Sequence, residues 1–351
     1  MKTFFPLILA LLAACRPDPV QPEPPVRELV RAADMSFLPE IEAFPTTYYT
    51  ADGTPEDPLA TLRRTGCNSV RLRLWKDPAT PHSSLAEVAT LAQRIRAQGM
   101  SVWLTVHYAD TWADPGHQPT PAAWQGLSRE ALADSVYDYT RRVIELLQPE
   151  IVQIGNEING GLLWPTGRIA DEAAMKTLLT QAARAVRAHS PASQIMVHYA
   201  GHAEAYGFFD KLRDLDYDLI GLSYYPLWHG KDIDALAQKI EQLGQVFDKD
   251  VLIAETAYPF TLGWSDWTNN IAGLDEQLVD GYPATPAGQK AFLLRLRTLL
   301  EAAPRGKGFC YWGAEWIAFK GDNAADGSSW ENQALWDFDH RALPALDVFA
   351  E

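Results

Sequence analysis

Two glutamates stand near the ends of otherwise apolar segments, Glu157 in IVQIGNEI and Glu255 in DVLIAE. Burying a lone carboxylate is costly or forces it to take up a proton, so such positions need a chemical reason. Paired carboxylates across a cavity suit glycoside hydrolysis, in which one protonates the leaving oxygen and the other attacks the anomeric carbon or activates water. A separation of about 5 to 5.5 Å would indicate a retaining reaction. The alternative is that both glutamates are structural partners of Arg71 and Arg73.

The elements that must position these residues alternate between apolar runs and amphipathic stretches. Eight runs have the composition of buried parallel strands, namely Asp34–Leu38, Ser69–Trp75, Ser101–Tyr108, Ile151–Ile158, Gln194–Tyr199, Leu219–Tyr225, Asp250–Glu255 and Gly308–Trp312. Helical patterns between them include Leu85–Gln98, Glu130–Leu147 and Ala173–His189. Because parallel neighbours need crossover helices, the pattern predicts an α/β fold, a closed (β/α)8 TIM barrel, as a single catalytic domain over residues 30–351. An open doubly wound sheet is the alternative, but its Gly-rich phosphate turn is absent from the sequence.

Polar and aromatic residues cluster at the carboxyl ends of the eight runs. In a (β/α)8 barrel these ends meet at one mouth, where chemistry occurs. The substrate-binding residues predicted on this basis are Asn156, Arg71, His107, Asp110, Trp112, His198, Tyr225, Trp228 and Trp312. Tryptophans that follow strands, including Trp264, are better sugar-stacking candidates than Trp103, which lies in the middle of a run.

Several segments around these positions are similar to those of a known family. The segments GNEING with LLWPTG, HYADTWADPGHQ, IGLSYYPLWHG and AETAYP resemble glycoside hydrolase family 53, the endo-β-1,4-galactanases, and the resemblance extends from about Ala33 to Phe349. The Asn-Glu pair alone is shared across a clan of retaining (β/α)8 glycosidases, whereas the longer segments are more specific. The resemblance implies retaining endo-hydrolysis of β-1,4-galactosidic linkages in type I arabinogalactan, the pectic galactan.

The resemblance also implies residue roles. Glu157 would be the general acid/base and Glu255 the nucleophile. Asn156 would bind the sugar 2-hydroxyl, Arg71 would keep the nucleophile ionised, and Tyr225 would orient it. His107 and Trp312 would line the −1 subsite, with Trp312 as a stacking floor. Arg73 shares a strand face with Arg71, so the alternation of side chains does not choose between the two arginines.

The net charge of the protein limits the classes of partner and substrate that are expected. Thirty Lys and Arg against 45 Asp and Glu give a formal charge of −15, which argues against nucleic acid and disfavours a polyanionic substrate. A neutral galactan chain fits better, and a monomer is expected. One alternative is another retaining glycosidase of the clan, acting on a different β-linked polysaccharide. Another is a non-catalytic surface glycan-binding lipoprotein, which predicts damage at Glu157 or Glu255, although both are present.

Metal and cofactor chemistry is not expected at the mouth. His107, Asp110, Asp114 and His117 offer ligands close together, but the HExxH-like spacing of catalytic zinc sites is absent. No cofactor is therefore required.

A structural calcium is a separate hypothesis. The polar stretch 321–327 could bind the ion, and the resemblance implies a calcium between the loops after strands seven and eight in some bacterial members. The Asp/Gly/His-rich loop of those members is not evident in Thr261–Gly281. Two other carboxylates near the last strand, Glu315 and Glu331, are interpreted as loop anchors.

The amino terminus predicts export. The short apolar run before Cys15 is typical of a signal peptide, and LAAC resembles the bacterial lipoprotein signal, which would make 1–14 the signal peptide and Cys15 the lipidated residue. The Pro-rich segment 15–29 would be a tether, and this anchor would be the only membrane contact. The alternative is an ordinary secretory signal with an incidental cysteine. Cys67 and Cys310 are interpreted as buried free thiols rather than a disulfide.

Overall fold

Eight parallel strands form a closed barrel in the computed structural model, which describes Met1 and residues 28–350. The strands are β1 Val30–Asp34, β2 Ser69–Leu74, β3 Ser101–Val106, β4 Ile151–Ile154, β5 Gln194–Ala200, β6 Leu219–Ser223, β7 Asp250–Thr256 and β8 Gly306–Tyr311. Strand β8 pairs with both β7 and β1, which closes the sheet. The predicted (β/α)8 barrel is confirmed. The predicted signal peptide, Cys15 and most of the predicted tether lie outside the described residues.

Helices surround the barrel in the order expected for crossover connections. They are α1 Leu38–Glu42, α2 Pro58–Arg64, α3 Leu85–Ala97, α4 Arg129–Leu147, α5 Glu172–His189, α6 Ala205–Lys211, α7 Pro226–His229, α8 Ile233–Phe247 and α9 Pro286–Ala302. Short 3₁₀ turns cover Ala122–Trp124, Asp275–Gln277, Glu331–Gln333 and Pro344–Phe349. The long helices begin at side-chain caps such as Ser128 and Asp171, which accept hydrogen bonds from backbone N–H groups of the first turn. The five long helices, α3, α4, α5, α8 and α9, each bury a row of apolar residues.

The first strand lies four residues earlier than the sequence pattern predicted. The prediction of Asp34–Leu38 is wrong, because β1 is Val30–Asp34 and Leu38 already begins α1. Pro39 is tolerated in the first turn of that helix but would interrupt a central strand. The two alanines of β1 are fully buried. Because their side chains are small, a pattern of large apolar residues does not indicate this strand.

The interior of the barrel is a packed cluster rather than a pore. Its buried members are Ala32, Trp103, Ile151, Met196, Leu219, Leu252, Ala254 and Cys310. Trp103, which lies in the middle of β3, is fully buried. Cys67 and Cys310 are buried and form no disulfide. Among the described residues, no helix is both long enough and apolar enough to cross a bilayer.

Candidate active site

The chain turns sharply where β4 ends, and this turn presents Asn156 and Glu157. Gly155 has φ +91°, and a Cβ there would lie 2.7 Å from Ile158 Cγ2, so the turn requires glycine. Glu157 itself has φ +47°, a conformation that non-glycine residues adopt rarely and that often marks functional sites. The strand therefore delivers two polar side chains together at the carboxyl end of the barrel.

An irregularity in β7 positions the second glutamate. Leu222 of β6 pairs with Ile253, but the next residue, Ser223, pairs with Glu255, so Ala254 is an extra residue in the ladder. Such a β-bulge bends the strand locally and redirects the following side chain. Glu255 consequently faces the same cavity as Glu157, although almost one hundred positions separate them in the chain.

This cavity has a volume of about 450 Å³ and opens at the carboxyl ends of the strands. Its walls are formed by Arg71, Arg73, His107, Trp112, Ala113, Asp114, Pro115, Asn156, Glu157, Ala200, Tyr225, Trp228, His229, Glu255, Trp312 and Trp330. The size is typical of a ligand site that encloses much of a small molecule. Seven of the nine predicted substrate-binding residues and both predicted catalytic glutamates lie on its surface.

Glu255 is held by a cation and a phenol. Arg71 Nη2 donates to Glu255 Oε1 at 2.7 Å, and the Tyr225 hydroxyl donates to Oε2 at 3.0 Å. Arg71 is itself fixed by Asp34, whose Oδ2 lies 2.7 Å from Nη1, and by Asn156 Oδ1 at 2.9 Å from Nη2. Burial raises the pKa of Glu255, while the contacts with Arg71 and Tyr225 oppose that rise by favouring the carboxylate. These two contacts favour the ionised form of Glu255.

Arg73 occupies a different environment, which resolves the choice between the two arginines. Its guanidinium lies 4.6 Å from the ring centroid of Phe37, 4.8 Å from that of Trp75 and 4.0 Å from that of Trp112. Its Nε donates to Ser83 Oγ at 2.9 Å. Cation–π contacts therefore hold Arg73 against the aromatic wall, and Arg71 is the partner of the glutamate.

Among residues 28–350, no cationic side chain is bonded to the Glu157 carboxyl group. The Ser223 hydroxyl donates to Glu157 Oε1 at 2.5 Å. Burial and the negative charge of Glu255 raise the pKa of Glu157 to about 8, against the opposing effects of Ser223 and Arg71. Glu157 therefore keeps its proton at neutral pH, whereas Glu255 has the contacts that favour loss of its own.

Four tryptophans form the aromatic walls of the cavity. The Trp312 ring packs edge-on against Trp330 with 4.8 Å between centroids, and it lies 6.2 Å from Trp112. Trp112 is 38% exposed and Trp228 is 55% exposed, so each presents a ring to solvent beside the cavity. Indole faces in such positions suit stacking on the apolar faces of sugars. Trp330 was absent from the predicted substrate-binding set, although its place in the long loop after β8 was a usable signal.

His107 also lines the cavity, as predicted. Its Nδ1 accepts a hydrogen bond from the backbone N–H of Ala113 at 3.2 Å, which assigns the ring proton to Nε2. Burial and the nearby charges of Arg73 and Arg71 lower the pKa of His107 well below its usual value. His107 is thus a neutral donor rather than a cation.

Two predicted substrate-binding residues do not reach the cavity. His198 is fully buried behind Glu157. Asp110 anchors loops, because Oδ1 accepts from the backbone N–H of Asp77 and Oδ2 from that of Ala122. These placements do not support direct substrate contacts for either residue. Gln153 was missed, although a glutamine in the apolar run of β4 could have signalled a role.

The loops after β7 and β8 meet at a cluster of buried oxygen atoms. Asp266 Oδ2, Asn270 Oδ1 and Glu331 Oε2 are buried and have no hydrogen-bond partner in the part of the chain that the structure describes. Asn270 Nδ2 lies 3.2 Å from Glu331 Oε1, and a Cβ at Gly327 would lie 2.5 Å from Asp266 Oδ2. Burial, followed by the charge of Asp266, raises the pKa of Glu331. An all-oxygen set of this kind fits a hard cation such as calcium.

The cluster is less acidic than many metal sites. Within residues 28–350, no group of three or more His, Cys, Asp or Glu side chains is arranged to hold a metal ion. The ligands would therefore be two carboxylates, Asp266 and Glu331, supplemented by the Asn270 amide oxygen.

Comparisons with known proteins agree with this geometry. The family model described as Glycosyl hydrolase family 53 matches residues 30–349. The arabinogalactan endo-beta-1,4-galactanase of Cellvibrio japonicus is 34% identical over 338 residues, which cover 90% of this chain and 89% of that protein. The solved GH53 catalytic domain of Ignisphaera aggregans is 37% identical with a TM-score of 0.87, covering 93% of this chain and 97% of that one. A solved structure from a study of two fungal beta-1,4-galactanases is 30% identical with a TM-score of 0.81, covering 92% and 99% respectively.

Proposed function

Because the chain belongs to glycosyl hydrolase family 53, we propose that it hydrolyses internal β-1,4-galactosidic linkages in the galactan of type I arabinogalactan. Two carboxylates in unlike environments on one cavity are the observation that carries this proposal. The galactanase names of similar proteins support the choice of substrate. The reaction needs no cofactor, since the two carboxyl groups supply the acid, the base and the nucleophile.

The mechanism proposed is a double displacement with retention. Glu255 attacks the anomeric carbon while Glu157 donates its proton to the departing glycosidic oxygen, which breaks that bond and forms a galactosyl ester on Glu255. Glu157, now a carboxylate, then takes a proton from water as the water attacks the same carbon and releases Glu255. Arg71 and Tyr225 stabilise the Glu255 carboxylate, both before it attacks and when the second step releases it.

The remaining cavity residues would bind the sugar. Asn156 lines the cavity beside Arg71, and its amide would donate to the sugar 2-hydroxyl in a contact that strengthens as the oxocarbenium-like transition state forms. His107 would donate from Nε2 at the −1 subsite, where Trp312 provides the stacking floor. Trp112 and Trp228 would extend this surface along the polysaccharide.

The substrate proposal is tested by following reducing ends released from galactan, mannan, xylan and cellulose side by side, with sizing of the galactan products over time. We expect release from galactan, with oligomers of intermediate length at early times. Preference for another polysaccharide would favour a different activity within the clan. Galactose as the only early product would mean exo cleavage, and binding of galactan without any release would favour a non-catalytic glycan-binding protein.

We further propose that Asp266, Asn270 and Glu331 hold a structural calcium ion that joins the loops after β7 and β8. Binding only to the folded state would raise the melting temperature, by roughly a few degrees at saturating calcium. Thermal unfolding in calcium and in chelator tests this, with the Asp266→Asn variant as the control that should lose the difference. Equal melting temperatures for the unaltered protein in both buffers would contradict the proposal.

The amino-terminal sequence supports a proposal about location. We propose that Cys15 is lipidated after export and anchors the enzyme to a bacterial membrane, on the cell surface or the periplasmic face. Replacing Cys15 with Ala should release the enzyme into the soluble exported fraction while galactanase activity is retained. Membrane association that persists in this variant would contradict the anchor.

A further inference from the structure

Behind the acid/base lies a chain of three buried polar side chains that the mechanism above does not use. Ser223 Oγ lies 2.5 Å from Glu157 Oε1 and 3.0 Å from His198 Nε2. His198 Nδ1 lies 2.9 Å from Gln153 Nε2. All three side chains are fully buried, and none of them lines the cavity. They therefore do not contact substrate, and their link to the active site is Glu157.

The contacts of Gln153 determine the direction of its hydrogen bond with His198. Its Oε1 accepts from Arg71 Nε, Trp103 Nε1 and Thr105 Oγ1, at 3.3, 3.3 and 3.2 Å. All three partners are donors in this arrangement, so the amide oxygen must face them. The amide nitrogen of Gln153 consequently faces His198 and can only donate.

Two hydrogen-bond donors at His198 Nδ1 determine the tautomer of this ring. The backbone N–H of Glu157 and the Gln153 amide both direct hydrogens at His198 Nδ1, at 3.3 and 2.9 Å. A proton on Nδ1 could bond Asn156 Oδ1 at 3.1 Å, but it would oppose both of these N–H groups. That oxygen already accepts from Arg71 and Gln153. The ring proton therefore sits on Nε2 and is donated to Ser223.

A serine hydroxyl that accepts from His198 has its single proton free for one other partner, and that partner is Glu157 Oε1. We propose that Ser223, oriented by His198 and Gln153, is a positioning residue that always donates to Glu157 Oε1 and so confines the catalytic proton to Oε2. This inference rests on the proposed function, in which Glu157 is the acid/base. The hydrogen bond from the Ser223 hydroxyl to Glu157 Oε1 stabilises the carboxylate form of Glu157.

The pH dependence follows from the groups that face Glu157. They are Arg71 on β2, Asp114 after β3, His198 on β5, Tyr225 and His229 after β6, and Glu255 on β7. Burial lowers the pKa of both His198 and His229, which leaves these rings neutral. Ser223 lowers the pKa of Glu157, so removing its hydroxyl should raise that pKa and move the basic limb of activity to higher pH.

The test compares pH profiles of kcat/KM on soluble galactan oligosaccharides for the unaltered enzyme, Ser223→Ala and Ser69→Ala. Activity of the unaltered enzyme should fall as pH rises through about 8, where Glu157 loses its proton. In Ser223→Ala this limb should lie about one pH unit higher, with KM little changed. Ser69 is the matched control, because it is a buried barrel serine whose hydroxyl has no hydrogen-bond partner among the described residues. Its variant should keep the original limb.

A basic limb that stays in place or moves to lower pH in Ser223→Ala would overturn the inference. No galactan hydrolysis by the unaltered enzyme would instead count against the proposed function. A second measurement needs neither turnover nor a variant: nitrogen NMR of the labelled unaltered protein should show His198 neutral with its proton on Nε2 between about pH 5 and 8. A proton on Nδ1 would mean that His198 does not donate to Ser223, which would also overturn the inference.

Discussion

Glu255→Gln is expected to abolish turnover of galactan, with a loss in kcat on the order of 10⁴-fold or more. Glutamine preserves the shape of the side chain but cannot form the galactosyl ester. Arg71 and Tyr225 would lose the charged acceptor that both of them contact. The measurement is kcat from reducing-end release, with calorimetric binding of galactan oligosaccharides to show that the cavity remains intact.

Glu315→Gln is the matched control for this variant. Glu315 is also fully buried near the barrel mouth, but it does not line the cavity, and its Oε1 accepts from the backbone N–H of Phe37. Burial raises the pKa of Glu315 well above its usual value, which favours the neutral form that glutamine resembles. Near-normal activity is expected here. Comparable activity in Glu255→Gln would contradict the assignment of the nucleophile.

Glu157→Ala is expected to lose about 10²- to 10⁴-fold in kcat on galactan, because the leaving oxygen is no longer protonated. The loss should be much smaller for an aryl galactoside whose leaving group needs no proton. Azide should then accelerate the second step, since a small anion can enter the space vacated by the carboxyl group and attack the galactosyl ester. The predicted product is a β-galactosyl azide, identified by NMR.

Glu255→Ala provides the stereochemical control for azide rescue. Azide in place of the nucleophile would attack the opposite face of the sugar and give the α-galactosyl azide. If Glu157→Ala gave the α-galactosyl azide and Glu255→Ala gave the β-galactosyl azide, the roles assigned to Glu157 and Glu255 would be reversed. Absence of any azide product from Glu157→Ala would argue that no galactosyl ester accumulates.

The fold and the two glutamates could be predicted because each rests on a strong local pattern. Buried parallel strands are short apolar runs, and closing a barrel brings their carboxyl ends together whatever the loops do. Glu157 and Glu255 lie at the ends of two such runs, so the topology alone predicts that they meet at the same end of the barrel. Strand β1 was displaced in the prediction because Ala32 and Ala33 are fully buried without giving a conspicuous apolar signal.

The details of the site depend on geometry that side-chain alternation does not encode. Arg71 and Arg73 share a strand face, and only packing against Phe37 and its neighbouring rings separates their roles. The extra residue Ala254, which aligns Glu255 with Ser223, has no sequence signature. His198 is likewise a strand-end residue by pattern, yet its contacts with Glu157 and Ser223 place it behind the cavity wall.

The most direct measurement is intact-mass and peptide analysis after incubation with an activated 2-deoxy-2-fluoro-galactoside, which slows hydrolysis of a galactosyl ester enough for the ester to accumulate. Two carboxyl groups acting in double displacement predict one equivalent of label, attached to the peptide that contains Glu255. Label on a different residue, or turnover with inversion and no label, would contradict the account.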